Sequence, residues 1–426
     1  MSNEVIISSE LNEKIYKTKL ENGLEICICK KPGYEKKIGM FGTKYGSVHN
    51  DFIDITTGKR VSVPDGVAHY LEHKLFEQEG ENALDLFSKE GISSNAYTSF
   101  DQTVYYFETI DKFEKGLEML IKLVKTPYFT DENVEKERGI IGQEISMYDD
   151  DPNFRVYFEA LKNMYHVNPV NIDIAGTIES ISKIDKEVLY TCYNTFYNPS
   201  NMFMVIIGDV DEEKTINIIK ENLKLYETSE TRSGEIIKYE KKEPESIVRA
   251  FSSLDMKLSM PQIYLGFKLN LALKNDMIKL DVISQIIYEM YLSKNSDFYE
   301  KMYNEGKVSS DIGLFFEGAK EFSHILVLAE TIKPEDTYKE IQEYICSLKN
   351  KEIDIELFEN AKKKLLGEMI IKSEDPNNSY RRIIDSIVNE SDLYYNIEVL
   401  KNATKEDLKD VLNLINEDNC VCSIVK

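Results

Sequence analysis

The segment His69-Tyr70-Leu71-Glu72-His73 constrains this chain more than any other stretch of its 426 residues. Pro64 and Asp65, just upstream, are start signals for a helix. On such a helix His73 lies about 40° from His69, and Glu72 about 60° away on the other side. Both imidazoles and the carboxylate then share one face, within an arc of about 100°. Two histidines one turn apart can chelate a single zinc ion without distorting the backbone. The carboxylate beside them reaches water at the metal without binding the metal itself. It can accept that water's proton and pass it to a leaving amine. The plainer alternative is a helix with two solvated or core-satisfied histidines. With five histidines in the chain, chance would produce the pattern only about 0.006 times, so the zinc reading is preferred. His49, His166 and His324 have no partner at ligand spacing and read as structural or surface residues.

A catalytic zinc needs a third protein ligand and an open position for water. The segment from Glu135 to Glu144 (EKERGIIGQE) offers two candidates on one later helix. Glu137 and Glu144 face the same way, two turns and about 10 Å apart along the axis. Only one can sit on the metal. The other is placed to hydrogen-bond a ligand histidine and fix its tautomer. Spacing alone leaves the choice between them open.

The charge balance narrows the partners. The chain has 52 Lys plus Arg against 75 Asp plus Glu, a net charge of −23. Nucleic acid and anionic membrane select basic surfaces and are disfavoured as partners. The N-terminus lacks a basic segment followed by an apolar run, so no signal peptide is visible. No uninterrupted apolar run is long enough to span a membrane. A cytoplasmic protein is the expectation. Cys27/Cys29 and Cys420/Cys422 each form C-x-C in a β-like run, which puts both thiols on one strand face. In a chain without an export signal they read as free buried thiols.

The length suits two domains. In the first half, strands are expected at 24–30 and 37–48, helices around 69–76 and 82–90, and one or two strands within 94–109. Helices over 113–126 and from about 130 to 147, a strand at 202–210 and a helix at 211–225 complete it. A polar, charged stretch follows, and 229–245 is read as a linker. The second half repeats these kinds of element in similar order, ending in a strand at 420–425. The expectation is an α/β (α+β) fold of two similar mixed-sheet sandwich domains. They are 1–228, carrying the zinc site, and 246–426, without one.

These residues also resemble a known family. His-x-x-Glu-His is the inverted zincin motif. Followed some seventy residues on by E-R-G-x-I-x-x-E, it is similar to the pitrilysin/insulinase family of zinc metallopeptidases, in particular its short bacterial processing-peptidase-like members. Residues 87–91 (FSKEG), 94–99 (SNAYTS), 176–179 (GTIE), 197–202 (YNPSNM) and 208–210 (GDV) resemble further family landmarks. The resemblance implies that His69, His73 and Glu144 hold one Zn2+, that Glu72 is the catalytic base and that Glu137 is the supporting acid. It implies that peptide substrate pairs as an added strand near Asn95 and Ala96. It also implies a chain forming half of a clamshell. The other half would be a second copy or a metal-less paralogue, giving a homodimer or heterodimer. Active relatives carry an Arg and a Tyr seven residues apart in the second half, which stabilise the oxyanion. Tyr303 and Ser310 stand at those positions here, so the partner is expected to supply that pair. Tyr380, Arg381 and Arg382 read as ordinary helix-surface residues.

Overall fold

The structure, a computed structural model, describes residues 2–226, 236–239, 241–269, 276–320 and 322–426. In chain order its principal strands are β1 (Ser2–Ser8), β2 (Glu13–Lys19), β3 (Glu25–Lys30), β4 (Lys37–Thr43), β5 (Ser93–Thr98), β6 (Thr103–Thr109) and β7 (Met202–Gly208). They continue as β8 (Phe251–Leu254), β9 (Gln262–Lys268), β10 (Gly313–Gly318), β11 (Ser323–Glu330) and β12 (Cys420–Val425). Five helices matter most below: α1 (Val67–Phe76), α2 (Phe113–Lys125), α3 (Asp131–Asp149), α4 (Pro152–Met164) and α5 (Pro376–Val388).

The chain gathers into two compact units. The first comprises residues 1–145, 173–239 and 370–391, and the second 146–172, 240–369 and 392–426. This differs from contiguous domains 1–228 and 246–426 in two places. α4 packs on β9 and β12 and so belongs to the second unit. α5 packs on β7 and belongs to the first. Of the expected linker 229–245, residues 229–235 and 240 lie outside the described residues. Its far end is packed, because Glu243 is buried and ion-paired with Lys268 at 2.7 Å.

The first unit is built on a sheet of order β1-β2-β3-β7-β4-β6-β5, in which only β3 and β7 run parallel. One face carries Ile26, Ile28, Phe41, Tyr105, Phe107, Met204 and Ile206. These join Leu71 and Leu75 of α1 and Leu117, Leu120 and Ile121 of α2 in one core. Burial of this apolar surface is what holds α1 rigidly on the sheet. Directly paired residues share a face, and the opposite face carries Cys27, Val205, Met40, Tyr106 and Asn95 in one line across the sheet. Glu13 belongs to this second face too, since Ile15 two residues on pairs Cys29 and β side chains alternate. α5 lies over it, with Ile383, Ile384 and Ile387 buried. Its Ser379 hydroxyl donates to Glu13 at 2.6 Å and its Arg382 guanidinium pairs with the same carboxylate. Arg382 is therefore a half-buried tether and not an ordinary surface residue.

The second unit has a sheet of order β8-β12-β9-β11-β10. Its core includes Leu265, Phe267, Ile283, Ile287, Val327 and Ile424. Both units are thus mixed α/β sandwiches, as the recurring element order predicts. The sequence pattern misses β1 and β2, whose charged outer-strand residues mask the alternation. It also misses α4 and the helices at Lys186–Phe196, Tyr395–Asn402 and Lys405–Leu414. All six cysteines are free and buried. No described helix is long and apolar enough to cross a membrane.

Candidate metal centre

α1 starts at Gly66, one residue beyond the Pro64-Asp65 start signal. Gly66 sits in the left-handed region at φ 91°, with no side-chain cap. A Cβ there would lie 2.4 Å from the carbonyl oxygen of Ala175, so only glycine fits. The preceding carbonyl of Asp65 accepts the Ser180 hydroxyl at 2.8 Å, locking the entry to α1 against the loop around 175–180. Every residue of α1 except His73 is buried. The Tyr70 hydroxyl bonds the Val134 carbonyl, and the buried Lys74 ammonium bonds the Asn133 carbonyl at 3.1 Å. Two polar contacts therefore register α1 against the first turn of α3.

That register brings the two glutamates to different nitrogens of His73. Glu137 Oε1 lies 2.9 Å from His73 Nδ1. Glu144 Oε2 lies 3.4 Å from His73 Nε2 and 3.8 Å from His69 Nε2. One ligand atom from each of His69, His73 and Glu144 falls within 4.8 Å of the others, the only such trio among the described residues. A 3.8 Å separation is too long for a hydrogen bond. It is close to the roughly 3.3 Å expected between two ligands of one tetrahedral zinc with bonds near 2.0–2.1 Å. Two imidazole nitrogens and one carboxylate are a donor set that suits zinc with a position left open. Glu137 faces the other nitrogen of His73, where it fixes the tautomer of the ring.

The electrostatics agree with that division. Burial, with His73 beside it, lowers the pKa of His69 to about 4, so this ring is neutral and free to donate a lone pair. Burial also opposes charge on His73, but Glu137 and Glu144 outweigh it and raise its pKa to about 10. A cation is strongly favoured at that point, as a proton or as a metal ion in its place. Glu137 is held below the usual carboxylate range, because its bond to His73 overcomes its burial. Glu72 stands apart from the trio. It is buried, which raises its pKa, and the Thr98 hydroxyl partly offsets this by donating to Oε2 at 2.6 Å.

A cleft of about 700 Å³ opens beside these residues, and Glu72, His73, Glu137 and Asn95 are part of its lining. Asn95 and Ala96 lie on β5, which among the described residues pairs only with β6, so that no strand occupies its other edge. The Ala96 N–H points along that edge and bonds the Asn95 side chain at 2.8 Å. Thr98, Tyr70 and Lys74 escaped the sequence reading. Thr98 had one usable signal: it is two residues past Ala96, hence on the same strand face, turned toward α1. His49 and His324 are buried and His166 bonds Ser246, and none of them belongs to a second such trio among the described residues.

Comparison with known proteins points to one family. A family model described as Insulinase (Peptidase family M16) matches residues 50–178, and one described as Peptidase M16 inactive domain matches 183–365. The chain is 39% identical over 371 residues to a Bacillus subtilis protein named an uncharacterized zinc protease, YmfH, covering 86% of each. The crystal structure of an M16-like peptidase from Alicyclobacillus acidocaldarius superposes with a TM-score of 0.91 at 33% identity, over 98% of this chain and 99% of that one. A Pseudomonas fluorescens structure described as a peptidase M16 inactive domain shares the fold, with a TM-score of 0.76 at 15% identity over 96% and 97% of the two chains.

Proposed function

The chain belongs to the insulinase family of peptidases, M16, and on that premise we propose that it is a zinc-dependent endopeptidase acting on short or unfolded peptides. The observation that carries this reading is the convergence of His69, His73 and Glu144, with Glu72 held beside them by Thr98. Zinc bound there would act as a Lewis acid and bring the pKa of water toward neutrality. Glu72 is the base: it is buried and outside the ligand trio, and its raised pKa favours taking up a proton and giving it to the leaving amine. Glu137 orients His73. The free edge of β5 at Asn95 and Ala96 holds the peptide as an added strand, the backbone N–H of Ala96 exchanging Asn95 for a substrate carbonyl.

We further propose that the chain pairs with a second subunit, and that a metal-less paralogue in that place supplies the oxyanion-stabilising Arg and Tyr, which a second copy would lack. Tyr303, which is 55% exposed, and Ser310 stand where relatives' Arg and Tyr are expected. The same observation supports a second reading, a zinc-binding subunit that does not cleave alone. A pool of short peptides, incubated with the purified chain with and without a zinc chelator and read by mass spectrometry, separates the two. Chelator-sensitive cleavage would show that one chain type suffices and that Tyr303 and Ser310 are not the oxyanion positions, whereas no cleavage with zinc bound is expected while the paralogue is absent. Glu72→Gln should retain one zinc per chain and lower turnover about 10²–10⁴-fold. Turnover near the wild-type level in the metal-replete variant would remove Glu72 from the mechanism.

A further inference from the structure

Resting on the strand-addition reading above, the geometry points to Arg381 on α5 as a specificity-determining residue that selects a carboxylate side chain in the bound peptide. A peptide added to β5 sends alternate side chains to the two faces of the sheet. One face is that of Ala96 and Thr98, turned toward α1 and Glu72. The other is that of Asn95 and Tyr97, continued across the sheet by Tyr106 and Met40. α5 covers this second face, and its position is fixed, because Ser379 and Arg382 are bound to Glu13, which is fully buried in β2. Every second residue of the peptide would therefore look toward α5.

The side of α5 nearest the edge strand carries charge. Arg381 and Asp385 are one turn apart and both are exposed. Tyr380, Arg381 and Asp385 all lie within electrostatic reach of the Tyr97 hydroxyl. Arg381 has no hydrogen bond or ion pair among the described residues, in contrast to its neighbour Arg382. A guanidinium presents a planar fork suited to a carboxylate. The chain's net charge of −23 would repel acidic peptides in general, so the selection is local and falls only on the alternate peptide positions that face α5. It should weaken with salt, as the screening length falls from about 10 Å at 0.1 M to about 3 Å at 1 M.

The test is fluorescence anisotropy on the zinc-loaded Glu72→Gln chain, which needs no turnover. Labelled peptides of one parent sequence carry a single Glu, moved position by position, each beside its Gln counterpart. At alternate positions the Glu peptide should bind about three- to fivefold tighter, the range of an exposed ion pair. The preference should vanish in Arg381→Ala, persist in Arg381→Lys and turn toward Lys-bearing peptides in Arg381→Glu. Equal discrimination by Arg381→Ala and the parent chain would overturn the proposal, as would a preference with no positional period or no peptide binding at all. Chelator-sensitive cleavage by the wild-type chain judges the peptidase reading separately, so the two can fail independently.

Discussion

His69 and His324 are both buried histidines set among acidic and aromatic side chains, one in each unit, and they differ in what is left unsatisfied. Both ring nitrogens of His324 are taken, one by the Tyr165 hydroxyl at 3.0 Å and the other by Glu317 at 3.0 Å. Glu317 in turn accepts the Tyr157 hydroxyl at 2.6 Å. Nearby, Lys268 donates to Glu243 and to the carbonyls of Pro244 and Ser246, while Glu243 accepts three consecutive backbone N–H groups from His166 to Asn168. His69, by contrast, has an Nδ1 with no partner among the described residues, and its Nε2 stops 3.8 Å from Glu144. A closed network of polar groups specifies and stiffens a core. An open one, with lone pairs aimed at a common point, is strain that a fold retains for a ligand.

The comparison predicts opposite responses to metal and to mutation. The largest effect belongs to the closed network. Lys268→Met leaves the Glu243 carboxylate buried without its cation, and removing one partner of a buried pair costs about 3–5 kcal/mol. Thermal unfolding of Lys268→Met should show that loss whether zinc or chelator is present. A loss below about 1 kcal/mol would mean that the three backbone donors alone satisfy Glu243, and that this network is less coupled than its geometry indicates.

The open site should respond to zinc instead. Glu137→Gln keeps a hydrogen-bonding partner for His73 but removes the charge that holds its ring, and losses of about 10–100-fold in metal affinity follow from such supporting groups. Titration with a competing zinc chelator measures this directly. The metal-free variant should also lose some stability at neutral pH, because the Glu137 carboxyl, despite its burial, is held below its ordinary range by its bond to His73 and that contribution goes with its charge. Unchanged zinc affinity would show that Glu144 and the two histidines need no orienting partner, and would make Glu137 an ordinary helix acid.

How much of this could be read beforehand follows from sequence distance. His69, Glu72 and His73 lie within five residues, and helical periodicity alone places them on one face. The third member of the candidate trio lies on another helix. There the face of Glu137 and Glu144 was legible, but which of them meets the ring nitrogens depends on the contacts of Tyr70 and Lys74 with the start of α3. Those contacts carry no signature, since a buried tyrosine and lysine look like any other helix residues. The assignment of α4 and α5 to units was less legible still. Each is an amphipathic helix whose apolar stripe says that it packs, without saying on which sheet. Glu13 shows the same limit: a single acid in an outer strand, it finds Ser379 and Arg382 more than 360 positions later. The family resemblance singled out Glu144, while Tyr380, Arg381 and Arg382 of α5 read as ordinary helix-surface residues.

The smallest expected effect tests whether the His324 network is closed in the sense argued here. Burial raises the Glu317 pKa, but His324 and Tyr157 outweigh it and leave the carboxyl below its ordinary value. A carboxyl lowered on folding adds stability above its unfolded pKa, about 4.3. That contribution is lost as pH falls through the lower folded value. Tyr157→Phe removes one donor to the ionised carboxylate and should cost about 1 kcal/mol at neutral pH. This is below the usual value for a charged acceptor, because the Glu317 side chain is 30% exposed and water can replace the donor. The difference between the two proteins should persist down to the ordinary carboxylate range and shrink only in more acid solution, as Glu317 takes up its proton. Denaturant unfolding at a series of pH values measures it. A penalty that does not change with pH would show that the hydroxyl contributes packing and not charge stabilisation. The network around His324 would then be closed by shape alone, and the contrast with His69 would rest only on the missing partner at Nδ1.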